Sequence, residues 1–174
     1  MIKCSGFNIA PLKIGDAPLL SQLMVNNKEQ FSDYFPGTLA ENISEEKSKQ
    51  FIDNASYKMK SKKQFLYGLY VENIVIGLVY IKELNWSIKE GEFAYCIDKN
   101  HTGKGWITEA IKVLSSIAFT SLNLERLTII VHKTNIPSVR VAEKCDFSYV
   151  KTLKNEFTPP GKQPMDMELY VLKK

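Results

Sequence analysis

The run from Glu92 to Ala118 restricts the fold more than any other part of the chain. "EFAYCID" (Glu92–Asp98) reads as a strand, and "NHTGKGWITEAI" (Asn100–Ile111) follows at once. Ile107, Ala110, Ile111, Leu114, Ile117 and Ala118 then recur at i, i+3, i+4 and i+7, the spacing of one helix face. The chain therefore has to pass from strand to helix through Gly103-Lys104-Gly105. Glycines let backbone N–H groups approach an anion without a Cβ in the way. The N–H groups of a first helical turn have no intrahelical partner and sit at the positive end of the helix dipole. Lys104 adds a point charge. On Gly-x-Gly alone, a plain connecting turn is the simpler alternative. Two familiar phosphate loops are excluded. The chain has no Gly-x-x-x-x-Gly-Lys-Ser/Thr, and its Gly-x-Gly lacks the third glycine of a dinucleotide fingerprint.

The flanking segments alternate strands and helices. Phe7–Ile14 reads as a first strand. Asp16 is placed to cap a helix through "APLLSQLMVNNKEQF", with Leu19, Leu20, Leu23 and Met24 on one face. "YFPGTLAEN" reads as a loop because of Pro36 and Gly37. Ser44, followed by Glu45 and Glu46, opens a second helix that buries Phe51, Ile52 and Ala55. "QFLYGLYV" and "IVIGLVYIKEL" flank Glu72-Asn73 and predict a hairpin. Beyond the central helix come a strand "RLTIIVH" (Arg126–His132), a short helix in "NIPSVRVAEKC" with Pro137 in its first turn, and strands in "FSYVKTLKN" and "MDMELYVLK". The expected class is α+β, with a central mixed, mostly antiparallel twisted sheet flanked by helices.

At 174 residues and 44% apolar content, one domain spanning 1–174 with a proper core is expected. The net charge of +4 suits an anionic ligand but is far from the basic stripe of a nucleic-acid binder, so no DNA partner is expected. The lysine run Lys58–Lys63 reads as a solvated helix end, with contact to RNA or an acidic partner as the weaker alternative. Cys4, Cys96 and Cys145 fit neither a disulfide framework nor a zinc site, and no His/Cys/Asp/Glu set has metal-ligand spacing, so no metal is expected. Cys96 alternates with Tyr95 and Ile97 and reads as packing. His101 beside the glycines reads as a solvated loop residue or a phosphate contact. "MIKCSGFNIAPLK" is not a signal peptide, and no stretch nears the roughly 20 apolar residues of a membrane span. A cytoplasmic setting and no membrane partner follow as expectations.

Gly103-Lys104-Gly105-Trp106-Ile107-Thr108-Glu109-Ala110, then Asn135-Ile136-Pro137-Ser138, then Glu143-Lys144 with Phe147, occur in the order strand, glycine loop, helix, strand, Asn-x-x-Ser helix, strand. In this order and combination the chain resembles the GNAT superfamily of acetyl-coenzyme A-dependent N-acetyltransferases. It is most similar to the branch that includes ribosomal-protein alanine and serine acetyltransferases, and the similarity extends over nearly the whole chain. It departs at Thr102 and Ile107, where the family's loop begins with Gln or Arg and ends in Gly or Ala, and at Asp146, where the family has Gly.

The resemblance implies that the strand with Tyr95, Cys96 and Ile97 lies beside the pantetheine. It places the pyrophosphate on the N–H groups of Gly103, Lys104, Gly105, Trp106 and Ile107, with Thr102 and Thr108 also among the cofactor-binding residues. Asn135 and Ser138 would face the thioester. The implied reaction is direct attack of a primary amine, either a protein N-terminal amine such as a ribosomal protein's or a small amine, on the acetyl donor. Ser138 is the candidate acid for the leaving sulfur, with local backbone capping as the alternative. Glu92 and Glu156 are base candidates, each with a solvated-surface alternative, and Tyr170 could donate to the thiolate or belong to the core. A non-catalytic acyl-coenzyme A-binding module on the same fold is the competing function, and a homodimer is left open.

Overall fold

A computed structural model describes all residues, Met1–Lys174. Eight strands form one mixed sheet. They are β1 (Ile2–Lys3), β2 (Asn8–Pro11), β3 (Phe65–Val71), β4 (Ile74–Asn85), β5 (Glu90–Ile97), β6 (Arg126–Val131), β7 (Ser148–Phe157) and β8 (Met165–Lys173), in the order β1-β2-β3-β4-β5-β6-β8-β7. The β1–β2, β2–β3, β6–β8 and β7–β8 pairs are antiparallel, and β5–β6 is parallel. The expected α+β class with a mostly antiparallel sheet is what forms. The residues group into two compact units, Met1–Tyr80 with Tyr95–Trp106, and Ile81–Ala94 with Ile107–Lys174, so that β4 and β5 run through both.

In the first unit, Ile9 on β2 stands opposite Leu69 on β3, and both are fully buried. Helix α1 (Ala17–Asn26) buries Ala17, Leu20, Leu23 and Met24, while Leu19 is only half-buried. Its N-terminus differs from expectation. Asp16 makes no side-chain cap, because its carboxylate accepts the Lys13 N–H at 2.7 Å and the Tyr70 hydroxyl at 2.8 Å. The first strand is correspondingly shorter than Phe7–Ile14, since Ile14–Asp16 forms a 3-10 turn. The single long helix expected through Phe31 is interrupted at Asn27 and resumes as α2 (Lys28–Phe31). "YFPGTLAEN" is not wholly loop. Pro36 starts the short helix α3 (Pro36–Ala40), as its fixed φ allows. Helix α4 (Glu45–Lys60) starts where expected, with Ser44 Oγ accepting the Lys47 N–H at 3.3 Å. It buries Ile52 and Ala55, and leaves Phe51 half-buried.

The β3–β4 hairpin turns on Glu72 and Asn73, at φ 48° and 68°. Positive φ at both central residues matches the turn whose twist suits a hairpin, here formed without glycine. Further along β4, Gly77 faces β5 so closely that a Cβ would lie 2.6 Å from the Cys96 carbonyl oxygen.

In the second unit, helix α5 (Trp106–Thr120) buries Ile107, Ala110, Ile111, Leu114 and Ala118. Phe93 pairs across to Ile129 and meets the edge of Phe147, with ring centroids 6.3 Å apart. Helix α6 (Ile136–Lys144) is tied to α5 by the Cys145 thiol, whose Sγ lies 3.4 Å from the Thr108 carbonyl oxygen. The turn after α6 places Asp146 at φ 64°, the left-handed conformation that glycine would adopt at less cost.

Gly77→Ala tests the β4–β5 approach. Because the obstacle is backbone and cannot rotate away, the substitution should cost on the order of 1–3 kcal/mol in urea unfolding. A variant as stable as the parent would show that the strands can separate freely.

Candidate functional site

The strand-to-helix passage is built within the first unit. Asp98 N–H donates to the Ile76 carbonyl at 2.8 Å, and its carboxylate accepts the Asn100 N–H at 2.9 Å, starting the 3-10 turn Lys99–His101. Thr102 Oγ donates to the Lys99 carbonyl at 3.0 Å. Gly103 and Gly105 then stand at φ 76° and 77°. A Cβ built on either would meet nothing within 4 Å, so these glycines answer to backbone conformation and not to crowding. Thr102, Gly103, Lys104 and Gly105 are all exposed, and α5 begins immediately after them. Left-handed residues leading into the N–H groups of a helix start make a concavity lined by backbone donors, suited to a phosphate. The open space in front of both glycines leaves room for one.

Trp106 holds the far end of this loop. Its ring stacks on His101 at 5.6 Å and 26° and packs against Phe7 at 5.6 Å. Lys104 Nζ lies 4.5 Å from its centroid. Gly6, at φ 92°, approaches so closely that a Cβ would be 3.3 Å from the indole. His101 is therefore not a solvated loop residue, since its side chain is only 25% exposed. The cation–π contact of Lys104 is worth about 0.5–1 kcal/mol at such a site, little enough for a phosphate to compete for the ammonium. Phe7 and Gly6 carried no signal in the sequence. They lie about a hundred residues upstream, and only the fold brings them to the loop.

Of the strand residues assigned to the donor, Tyr95 and Ile97 are half-buried and Cys96 is buried. Burial pushes the Cys96 thiol up to about 12, so only its backbone is suited to meeting a ligand. Ile107 is buried and Thr108 half-buried at the start of α5.

The second unit holds the remaining candidates. Asn135 caps α6, its Oδ1 accepting the Ser138 N–H at 3.4 Å. Ser138 itself is half-buried on the first turn. Glu92 is bonded by Lys82, Nζ to Oε1 2.8 Å, with 15% of its side chain exposed. Glu156 is exposed on β7. Tyr170 is buried and donates to Glu168 at 3.3 Å; its hydroxyl is raised first by burial and then by the Glu168 charge. Lys82 and Glu168 were not singled out from the sequence, where each is one more charge on an alternating strand.

The fold is thus an α+β domain with a mixed sheet and an open, glycine-bracketed turn between a strand that pairs in parallel and a helix. Residues 7–148 match the family model described as the acetyltransferase (GNAT) domain, so the chain belongs to that family and is an acetyltransferase. A probable N-acetyltransferase of Bacillus subtilis (strain 168) is 25% identical over 150 residues, covering 84% of this chain and 83% of that one. The spermidine N(1)-acetyltransferase of Vibrio cholerae is 28% identical over 170 residues, covering 97% and 94%. Among solved structures, a ribosomal-protein α-N-acetyltransferase in complex with coenzyme A superposes with a TM-score of 0.89 at 17% identity, covering 98% of this chain and 95% of that one.

The two buried thiols give a pH-dependent prediction. Cys145 is raised to about 11, mainly by burial, and Cys96 to about 12, both from an ordinary 9.0. A raised thiol keeps its full stabilising effect below the unfolded value and loses it as pH climbs through the folded value. Iodoacetamide at pH 8 should leave both unmodified in the native protein and label them on unfolding, read by intact mass. Rapid labelling of either in the native state would refute the burial argument.

Proposed function

We propose that the whole chain, 1–174, forms one catalytic domain that transfers the acetyl group of acetyl-coenzyme A to a primary amine. The observation that carries this is the pair of left-handed, unobstructed glycines at the start of α5. In this reading the pyrophosphate lies on the N–H groups from Gly103 to Ile107, and Lys104 leaves the Trp106 face to meet it. The β5 backbone at Tyr95, Cys96 and Ile97 runs along the pantetheine, and Thr102 and Thr108 border the loop.

The chemistry is an acyl transfer. The amine lone pair attacks the thioester carbonyl carbon, the C–S bond breaks, an amide forms, and the proton lost by the amine balances the one gained by the thiolate. An ammonium has no lone pair, so a carboxylate or a water path has to take a proton first. Glu92 and Glu156 remain the candidates for that task. Ser138 is assigned to the leaving sulfur, with Asn135 fixing the turn on which it stands. Relatives named for spermidine and a fold neighbour named for a ribosomal protein support amine acceptors of both kinds, a small polyamine and a protein N-terminus.

A thiol-release assay with acetyl-coenzyme A tests the reading, run across spermidine, other small amines and peptides with free N-terminal alanine or serine. Turnover with one acceptor class is expected. Donor binding without turnover on any of them would leave a non-catalytic acyl-coenzyme A-binding module. Gly105→Val forces a β-branched residue to positive φ, a strain of about 1–2 kcal/mol, in an exposed loop. It should keep the circular dichroism spectrum and lose donor affinity; unchanged affinity would remove this loop from the site. Ser138→Ala should lower kcat roughly 100-fold while leaving the donor KM nearly unchanged. A wild-type rate would reduce Ser138 to a residue of the helix start.

A further inference from the structure

We infer that Asn27, at the break between α1 and α2, is a positioning residue for donor binding. This rests on the donor-loop reading above. Asn27 is 2% exposed and uses every polar group it has. Its backbone N–H donates to the Leu23 carbonyl at 3.2 Å, and its carbonyl accepts the Phe31 N–H at 3.0 Å. Its side-chain Nδ2 donates to the same Leu23 carbonyl at 2.9 Å. Its Oδ1 accepts the Lys99 N–H at 2.9 Å, across 72 residues of chain. Lys99 opens the 3-10 turn that leads to Gly103. One residue of α2 repeats the attachment, Gln30 Nε2 donating to the Ile97 carbonyl at 3.3 Å. The end of α1 and the start of α2 thus grip the chain where it leaves β5.

The residue type follows from the geometry. The Lys99 N–H takes an acceptor, and the Leu23 carbonyl, which already holds the Asn27 backbone N–H, takes a second donor, both from one short buried side chain. Asparagine supplies both, aspartate lacks the donor, and an apolar residue lacks both. An N–H in a part-buried bond that loses its acceptor carries a penalty, which the loop can relieve by turning that N–H toward solvent. That motion would rotate the path into the two glycines, which have no side chains to hold them. Asn27 and Trp106 therefore fix the two ends of an otherwise glycine-loosened loop, and the energy of ordering it is spent on folding before any donor arrives.

Asn42 provides the matched control. It is 0% exposed and its Nδ2 donates to the carbonyl four residues back, Thr38, at 2.8 Å, but its Oδ1 reaches no partner. In each case serine can still bond the carbonyl four residues back. Asn27→Ser should therefore lose the Lys99 link alone, and Asn42→Ser no link to the loop. Coenzyme A is titrated calorimetrically into the wild type and both variants, and acetyl transfer is measured on the best acceptor. Asn27→Ser should raise the coenzyme A Kd and the donor KM about tenfold, with kcat at saturating donor within about threefold. Asn42→Ser should leave both constants within about twofold. Gln30→Ala, at an exposed position that does not threaten folding, should raise the Kd about two- to threefold. Equal constants for Asn27→Ser and Asn42→Ser would overturn the inference, and so would a Gln30→Ala Kd equal to wild type should Asn27→Ser not fold. A wild-type chain that binds no coenzyme A would overturn the proposed function itself, and this inference with it.

Discussion

The chain leaves β5 and enters α5 through a turn whose two glycines stand at φ 76° and 77°, and the proposed donor site depends on that backbone choice. A right-handed path at either glycine would send the chain elsewhere and turn the helix-start N–H groups away from the open space. Left-handed conformation costs an ordinary residue roughly 1–2 kcal/mol and costs glycine nothing sterically, but glycine gives up more chain entropy on being ordered. The loop therefore needs outside support. It gets two kinds: hydrogen bonds from a buried amide at its entrance, and ring packing around Trp106 at its exit. The first is directional and fixes register. The second is apolar and tolerant, and holds Lys104 Nζ 4.5 Å from the Trp106 ring.

The buried thiols narrow the chemistry. A cysteine that carried the acetyl group between donor and acceptor would need substantial thiolate near neutral pH. Cys96 at about 12 and Cys145 at about 11 hold their protons instead, because burial penalises the charged form. Cys145 also spends its sulfur on the Thr108 carbonyl, joining α6 to the first turn of α5. Both behave as small apolar packing residues, which favours direct attack by the amine over a route through either of them.

What could be read from the sequence divides along physical lines. The helical face of α5 was legible because one apolar stripe at 3.6-residue spacing is decided locally and confirmed by packing. The Ser44 start of α4 and the β3–β4 hairpin were legible for the same reason, from residues a few positions apart. The break at Asn27 was not. Nothing in "MVNNKEQF" marks it, and Asn27 there bonds Lys99, a partner that only folding brings near. Asp16 looked like a cap by residue type but was claimed by Tyr70, again a distant partner. Pro36 and Gly37 signalled a loop, although proline at a first helical position can equally open a short helix, as it does here. For the candidate site, the glycines were legible as backbone chemistry. The ring packing at Trp106 and the ion pair at Glu92 were not, because each needs a second residue that only tertiary structure supplies.

That ion pair bears on the acceptor chemistry proposed above. Glu92 lies in the part of β5 that pairs with β6, and Lys82 Nζ bonds its carboxylate at 2.8 Å. A carboxylate paired this way has one oxygen occupied by an ammonium. It is also well matched to exchange one ammonium for another of the same charge and hydrogen-bonding pattern. Lys82 is 35% exposed at its side chain and so has solvent to move into. Glu156 faces the opposite difficulty. On an exposed strand, little around it excludes water or fixes an approach. Under the proposed reaction, a cationic amine would compete with Lys82 for the Glu92 carboxylate, which joins the acceptor question to this ion pair.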